Sequence, residues 1–422
     1  MMDEQNSKMS NDGVSRRSFL GKTSAALVAA ASLPIVAAAQ QTKDLSGDTH
    51  VGDNERELGP KNPALEAQNP DSMYPPTTDA GGQAPFKYPM GFAKKRIEAG
   101  GWTRQVTLRD FPLSKKMAGV EMRLISGGVR ELHWHVGSEW AYMTAGSARI
   151  TAVDQKGRAF IEDVKEGDLW LFPGGVPHSI QGLGEDGCQF LLVFDDGNFS
   201  EYETFLLTEW LHHTPKEILA KNFGVDPSIF KNVPKEKFIF PSELPRSLEE
   251  EKKQVYAVTG PVPETYAFFT SKMEPTKVTA GGSVKIVDAH NFPITGIAAA
   301  IVTVKPGGMR ELHWHPNADE WQYYVKGTAR MTVYAAAGNA RTMDFLPGDV
   351  GYIEQSKPHY VENIGDNDLV FLEIFPTPEY QDISLGEWLA HTPSRLVNEH
   401  LGTGEAFLAK ISKSEVVITT EK

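Results

Sequence analysis

An imidazole, a second imidazole two residues on and a carboxylate shortly after are donors that a divalent metal takes, and this chain writes them twice. Gly127-Gly128-Val129-Arg130-Glu131-Leu132-His133-Trp134-His135 returns as Gly307-Gly308-Met309-Arg310-Glu311-Leu312-His313-Trp314-His315. Glu139 follows the first copy and Glu320 the second, and a Pro-His pair completes each set, Pro177-His178 and Pro358-His359. In a strand, residues i and i+2 share a face, so His133 with His135, and His313 with His315, can point inward together. The third histidine opens a later strand signal, where an antiparallel neighbour brings it beside the first pair. Three imidazoles and one carboxylate leave an octahedral ion two open positions, which suits manganese or iron better than a closed zinc site. Substrate or dioxygen can bind there. Duplicated packing accounts for another repeated histidine, His213 and His391 in the Trp-Leu-x-His-Thr-Pro stretches, which we assign to helix packing or subunit contact.

Arg130 and Arg310 precede the first ligand histidine by three residues, an odd separation that puts them on the opposite face of an ideal strand. A bulge, for which the preceding Gly-Gly pair is suited, turns them inward. An inward guanidinium beside the metal binds a carboxylate and stabilises a negative intermediate, whereas an outward one is a surface arginine.

The elements that must hold these residues are short apolar alternations separated by turn signals. They run at Val120 to Leu124, Ala148 to Ala152, Leu169 to Leu171 and Phe190 to Phe194, then again at Ala298 to Val304, Ala329 to Tyr334, Val350 to Ile353 and Leu369 to Phe375. Strands at this spacing predict an all-β barrel or sandwich in each half. A helical segment closes each half, around Glu209-Trp210-Leu211 and Glu387-Trp388-Leu389, stopped by Thr214-Pro215 and Thr392-Pro393. The 422 residues, 40% of them apolar, are enough for two domains. We divide them into a leader at 1–39, an extended arm at 40–101, a first domain at 102–240 and a second at 241–422.

Acidic side chains outnumber basic ones by 55 to 42, giving a net charge of −13, which argues against nucleic acid or an anionic membrane as partner. An anionic substrate must then be held locally, by metal or by individual arginines. One cysteine, Cys188, excludes an internal disulfide and a cysteine-rich metal site. The leader pairs Arg16-Arg17 with Phe19-Leu20, continues through an apolar stretch from Thr23 to Ala39, and offers Ala37-Ala38-Ala39 for cleavage. It resembles a bacterial twin-arginine export signal, with an ordinary secretory signal as the alternative, and predicts a periplasmic or extracellular protein with no membrane in the mature form.

From about Asn62 to beyond His400 the chain resembles the bicupin oxalate decarboxylases, on the repeated GGxRELHWH, the glutamate after it and the distant Pro-His. The resemblance implies two tandem cupin barrels of jelly-roll type, all-β with few helices. It implies one manganese per barrel, two per chain, bound by His133, His135, Glu139 and His178 and by His313, His315, Glu320 and His359. It also implies dioxygen as a participant, conversion of oxalate to formate and carbon dioxide, and trimers stacked into hexamers. The family's proton-handling glutamate lies on a lid before the first barrel's closing helix. The matching stretch, Ser200-Glu201-Tyr202-Glu203-Thr204, makes Glu201 the candidate, and it departs from the family pattern by carrying Tyr202 and Glu203 where small polar residues are common. In the second barrel the matching acid is Glu373, with Tyr380 as hydrogen-bonding partner.

On this reading Arg130 polarises the far carboxyl of oxalate, and Glu201 accepts its proton and later returns it to carbon. A strand-borne acid is held more rigidly than a lid acid, so Glu201 ranks above Glu373 for turnover. Without a placed acid, oxidation to carbon dioxide and peroxide competes, which makes an oxalate oxidase the alternative enzyme. Two-barrel storage proteins of the seed-globulin kind are the non-enzymatic alternative, and such proteins generally lack the ligand set that is complete here.

Overall fold

The computed structural model describes residues 58–420, so the leader at 1–39 and the first part of the arm lie outside the described residues. Up to Thr78 the chain is a unit of its own, with two short helices, Pro63–Gln68 and Pro70–Met73. Asn62 caps the first by accepting the Leu65 N–H at 3.2 Å, and proline sits at the start of both, where its missing N–H leaves no bond unmade.

From Asp79 onward the chain builds two β-barrels in tandem. The apolar alternations are strands, at Ala118–Leu124, Leu169–Phe172 and Cys188–Phe194 in the first half and at Ala298–Val304, Ala329–Ala335, Asp349–Ile353 and Leu369–Phe375 in the second. In the first barrel one long strand, Glu139–Val153, serves both walls. Its first half pairs with Cys188–Phe194 and Leu169–Phe172, and its second half with Ala159–Lys165 and His178–Gly182. The strand turns the corner at Gly146 (φ 73°), where a Cβ would stand 2.1 Å from the Gly187 carbonyl oxygen. In the second barrel the same path is two strands, Glu320–Lys326 and Ala329–Ala335.

Cys188–Phe194 and Leu369–Phe375 read as nearly unbroken apolar runs because both of their faces are covered. Their inward faces belong to separate barrel cores, one around Phe190, Met143 and Ile150 and one around Phe371, Tyr324 and Met331. Their outward faces meet in a shared cluster containing Leu191, Val193, Trp140, Trp321, Leu372 and Ile374. Gly119 is required there, since a Cβ on it would lie 2.3 Å from the Trp321 ring.

The arm is more ordered than its composition suggests. Lys87–Pro89 pairs with Asp349–Gly351 of the second barrel, and Arg96–Glu98 pairs with Gly101–Thr103 of the first. In return, Ala267–Phe268 pairs with Leu169–Trp170 of the first barrel. The expected helices close each half, Leu207–His212 and Leu385–Ala390. His213 and His391 are exposed and bond through Nδ1 to the carbonyls of Glu209 (2.9 Å) and Glu387 (2.8 Å), so they cap helix ends.

Candidate metal centres and proton-handling residues

The strand Gly128–Trp134 carries His133 and leads into His135, while Glu139 and His178 each open a strand that borders the same cavity. His133 and His178 are direct register partners. The second barrel repeats the arrangement with His313 opposite His359. In each barrel all four side chains are buried, and their ligand atoms lie within 4.8 Å of one another.

Second contacts decide which nitrogen faces inward. His133 Nδ1 donates to Glu131 O (2.6 Å), His135 Nδ1 to Gly137 O (2.7 Å) and His178 Nδ1 to Val176 O (2.7 Å). His313, His315 and His359 donate likewise to the carbonyls of Glu311, Gln381 and Lys357 at 2.7, 2.7 and 3.0 Å. With each Nδ1 carrying the proton, every Nε2 presents a bare lone pair to the centre. Glu139 Oε2 is 3.3 Å from His135 Nε2 and 3.5 Å from His178 Nε2, and Glu320 Oε2 is 3.3 Å from His315 Nε2 and 2.9 Å from His359 Nε2. The other carboxylate oxygens are taken by Trp170 Nε1 (3.1 Å) and Gln322 Nε2 (2.7 Å). Acceptors converging on acceptors in a buried space need a cation, and this donor set fits a six-coordinate divalent ion with open positions.

Electrostatics favour ionised carboxylates at both centres. Burial opposes ionisation of Glu139 and Glu320, but His178 and His135 in one case, and His359 and His315 in the other, hold both carboxyls well below the usual range. Burial, then Arg130 or Arg310 and the other imidazoles, push His133 and His313 well below the ordinary histidine value, which keeps them neutral for ligation. His315 moves upward: burial opposes its charge, yet Glu320 outweighs it.

Both arginines face inward. The strand register shifts between Arg130 and His133, and between Arg310 and His313. The bulge thus lies after the arginine, at Glu131-Leu132 and Glu311-Leu312, and not at the Gly-Gly pair. It turns Arg130 and Arg310 into the barrels, where they are fully buried, while Leu132 and Leu312 emerge at the surface.

The two arginines differ in company. Arg310 contacts Glu373 Oε1 (Nε, 3.6 Å), the Tyr380 hydroxyl (3.0 Å) and Asp382. Burial opposes its charge, yet Tyr380, Glu373 and Asp382 together raise it well above the usual guanidinium value. Glu373 is pushed up to about 7, by burial first and then by Glu320. Among the described residues Arg130 has a single hydrogen bond, from Nη1 to Phe238 O at 3.5 Å, and its Nε has none. Burial lowers it below the usual value, with Glu201, Glu139 and Glu131 only partly offsetting this.

The lid forms a short 3-10 turn over Glu201–Glu203, with the Ser200 side chain accepting the Tyr202 N–H. The Glu201 N–H donates to Gln105 Oε1 at 2.9 Å, and its carboxyl is buried with Oε2 unpartnered. Burial raises the Glu201 carboxyl, against the pull of Arg130 and a hydrogen bond with Thr103. Tyr202 and Glu203 point outward. Asp382, Gln105 and Phe238 escape sequence reasoning, because none belongs to the repeated motif. Glu131 and Glu311 stand in the motif but carried no assigned role. Each accepts backbone N–H groups from a distant segment, Lys237 (3.0 Å) and Phe238 (2.7 Å) for Glu131, Val416 (3.0 Å) and Val417 (2.7 Å) for Glu311.

Comparison with known proteins agrees with the geometry. The cupin family profile matches residues 92–231 and 270–406, one match per barrel. The chain is 52% identical to oxalate decarboxylase OxdC of Bacillus subtilis, over 86% of this chain and 94% of that protein. It is 40% identical to a probable oxalate decarboxylase of Arthroderma benhamiae, over 86% and 90% of the two chains. A structure of the Bacillus subtilis enzyme at pH 4.6 superposes with a TM-score of 0.85 at 51% identity, covering 88% of this chain and 97% of that one. Another, from work on the Mn(II) centres of that enzyme, gives 0.84 at 51% identity, covering 87% and 97%. With two complete His/Glu sites on two matching barrels, the chain belongs to the cupin family, as a bicupin oxalate decarboxylase.

Proposed function

We propose that this carboxy-lyase splits oxalate in its first barrel, with Arg130 as the substrate-binding cation and Glu201 as the proton carrier, and with manganese and dioxygen as cofactors. Hydrogen oxalate yields formate and carbon dioxide with no net change in electrons or protons. The proton that leaves the carboxyl must therefore return at carbon.

His133, His135, Glu139 and His178, and likewise His313, His315, Glu320 and His359, would hold manganese, which would supply a docking point for a carboxylate and, with dioxygen, reversible one-electron oxidation. The rest falls to side chains. Arg130, hydrogen-bonded to no carboxylate among the described residues, binds the far carboxylate of oxalate through its fork. Glu201 takes the carboxyl proton, keeps it because burial favours its neutral form, and delivers it to carbon after carbon dioxide has left.

The observation that carries this reading is the contrast between Arg130, which makes no ion pair among the described residues, and Arg310, already engaged by Glu373 and Asp382. The Glu373–Tyr380–Arg310 cluster fits a role in stabilising the second metal site, with Glu373 as a reserve acid. Exposed Trp210 and Trp388, each packed edge-on against a half-buried tryptophan, Trp134 and Trp314, support assembly into trimers or hexamers. Export on the leader suits a manganese enzyme, since loading during folding inside the cell avoids loss to metals that bind more tightly. Recovery of the mature chain only from the cytoplasm contradicts that part.

Product analysis of manganese-loaded protein under air at mildly acidic pH tests the reaction. Formate near one per oxalate with little peroxide is expected. Peroxide in place of formate identifies an oxidase.

A further inference from the structure

A guanidinium that must receive an anionic substrate has to be aimed without being neutralised beforehand. Arg310 is aimed by carboxylates, Glu373 at 3.6 Å and Asp382. Among the described residues no carboxylate is hydrogen-bonded to Arg130. Its planar group lies instead over the ring of Phe238, 4.1 Å from the centroid.

That ring is held from several directions. Phe238 is fully buried at φ 47°, a conformation that bulky L residues rarely adopt. Glu131 fixes it there, accepting the Phe238 N–H at 2.7 Å, while the Phe238 carbonyl accepts the Glu131 N–H at 3.0 Å and Arg130 at 3.5 Å. A second cation, Arg96, sits over the same ring at 3.5 Å and is itself paired with Glu98 (2.7 Å) and Glu236. Two guanidinium groups this close to one centroid must take opposite faces.

The second barrel is the internal control. Val417 occupies the corresponding place at φ 63°, with its N–H 2.7 Å from Glu311 Oε1 and its carbonyl accepting Glu311 N–H at 2.9 Å and Arg310 at 3.3 Å. Backbone and anchoring acid are the same in both barrels. The side chain is aromatic only where the arginine makes no hydrogen bond to a carboxylate among the described residues.

We propose that Phe238 is a positioning residue for oxalate binding, its ring being the uncharged seat that aims Arg130 at the substrate while leaving its charge free. An aromatic face attracts a guanidinium through its quadrupole and fixes the plane of the fork without supplying a negative charge. This inference rests on Arg130 as the oxalate-binding cation of the first barrel.

The test compares wild type, Phe238→Leu, Phe238→Tyr and protein with a fluorinated Phe238 ring, all manganese-loaded. Fluorination keeps the shape and weakens the quadrupole, so that series decides the matter even if Phe238→Leu does not fold. Oxalate affinity is measured by calorimetry without oxygen, KM and kcat under air, and metal content throughout. In Phe238→Leu we expect oxalate affinity to fall and KM to rise on the order of 2- to 30-fold, the range open to a cation–aromatic contact. Metal content is unchanged, kcat moves less, Phe238→Tyr restores affinity, and fluorination gives an intermediate loss. Wild-type affinity in both the leucine and fluorinated proteins overturns the proposal, as does a loss that tracks metal content. Affinity that depends on the ring in a protein making no formate sustains the seat and removes the decarboxylase reading. Normal formate with affinity indifferent to the ring removes the seat alone.

Discussion

At the scale of single residues, two arginines in equivalent places keep different company, Arg310 engaged by Glu373 and Asp382, Arg130 laid over the Phe238 ring. The eight ligands are legible because imidazole and carboxylate at those spacings, given twice, have few other uses. Arg130 and Arg310 are identical in the motif, and their divergence depends on Asp382 and Phe238, which reach them from remote segments. Glu201 was legible only through family resemblance, since an acid in a loop has no periodicity to mark it. Its environment makes a pH prediction. Burial raises the Glu201 carboxyl, so in the oxalate complex the proton it has taken persists there to higher pH than on an ordinary carboxyl, and formate production falls once rising pH strips that proton from the complex. Arg96 and Arg130 both act in the lowering direction. Replacing Arg96 by methionine therefore moves the alkaline limb of the kcat profile upward, and an unmoved or acid-shifted limb contradicts this placement of charge.

At the scale of elements, strands such as Ala118–Leu124 and Ala298–Val304 were legible from apolar spacing, and the short ones that cross between barrels were not. Lys87–Pro89 and Ala267–Phe268 are too short for a period, and Lys87–Pro89 includes a proline that reads as a breaker. The inward turn of the arginines was one of the two orientations weighed, but the bulge sits after the arginine, at Glu131-Leu132, and not at the glycines before it. Its cause is Glu131, whose carboxylate gathers the Thr208, Lys237 and Phe238 N–H groups at 2.9, 3.0 and 2.7 Å and so drags its own strand position inward. Removing that buried acceptor leaves donors unsatisfied. Glu131→Ala should cost about 3 kcal/mol of stability, at 1–3 kcal/mol per orphaned group with partial relaxation, measurable by denaturant unfolding. It should also release the Phe238 segment and weaken oxalate binding, whereas a loss below about 0.5 kcal/mol would mean that the acid does not organise this corner.

At the scale of the molecule, the internal repeat made two barrels legible. Their mutual packing was not, because strand faces turned toward a second sheet look like any other core. The repeat carries an energetic consequence. Each metal-free centre turns imidazole lone pairs toward a carboxylate in a buried space, so an ion bound there stabilises the native state by mass action, about 2.7 kcal/mol per site at a hundredfold excess over Kd. Loading the stripped protein with manganese should raise Tm by several degrees and reach two ions per chain. His133→Ala should lower the stoichiometry to one and abolish turnover, while leaving the second barrel's ion in place. Two ions retained in that variant would contradict the assigned ligand set.

The most direct measurement follows formate, carbon dioxide and hydrogen peroxide together from one oxalate supply, in manganese-loaded wild type and in Glu201→Gln, with metal content confirmed equal. The account predicts about one formate per oxalate in wild type. In the glutamine variant, which cannot return a proton to carbon, formate should fall by at least tenfold while any remaining consumption yields carbon dioxide and peroxide. Undiminished formate from Glu201→Gln would show that the proton comes from elsewhere and would contradict the central claim.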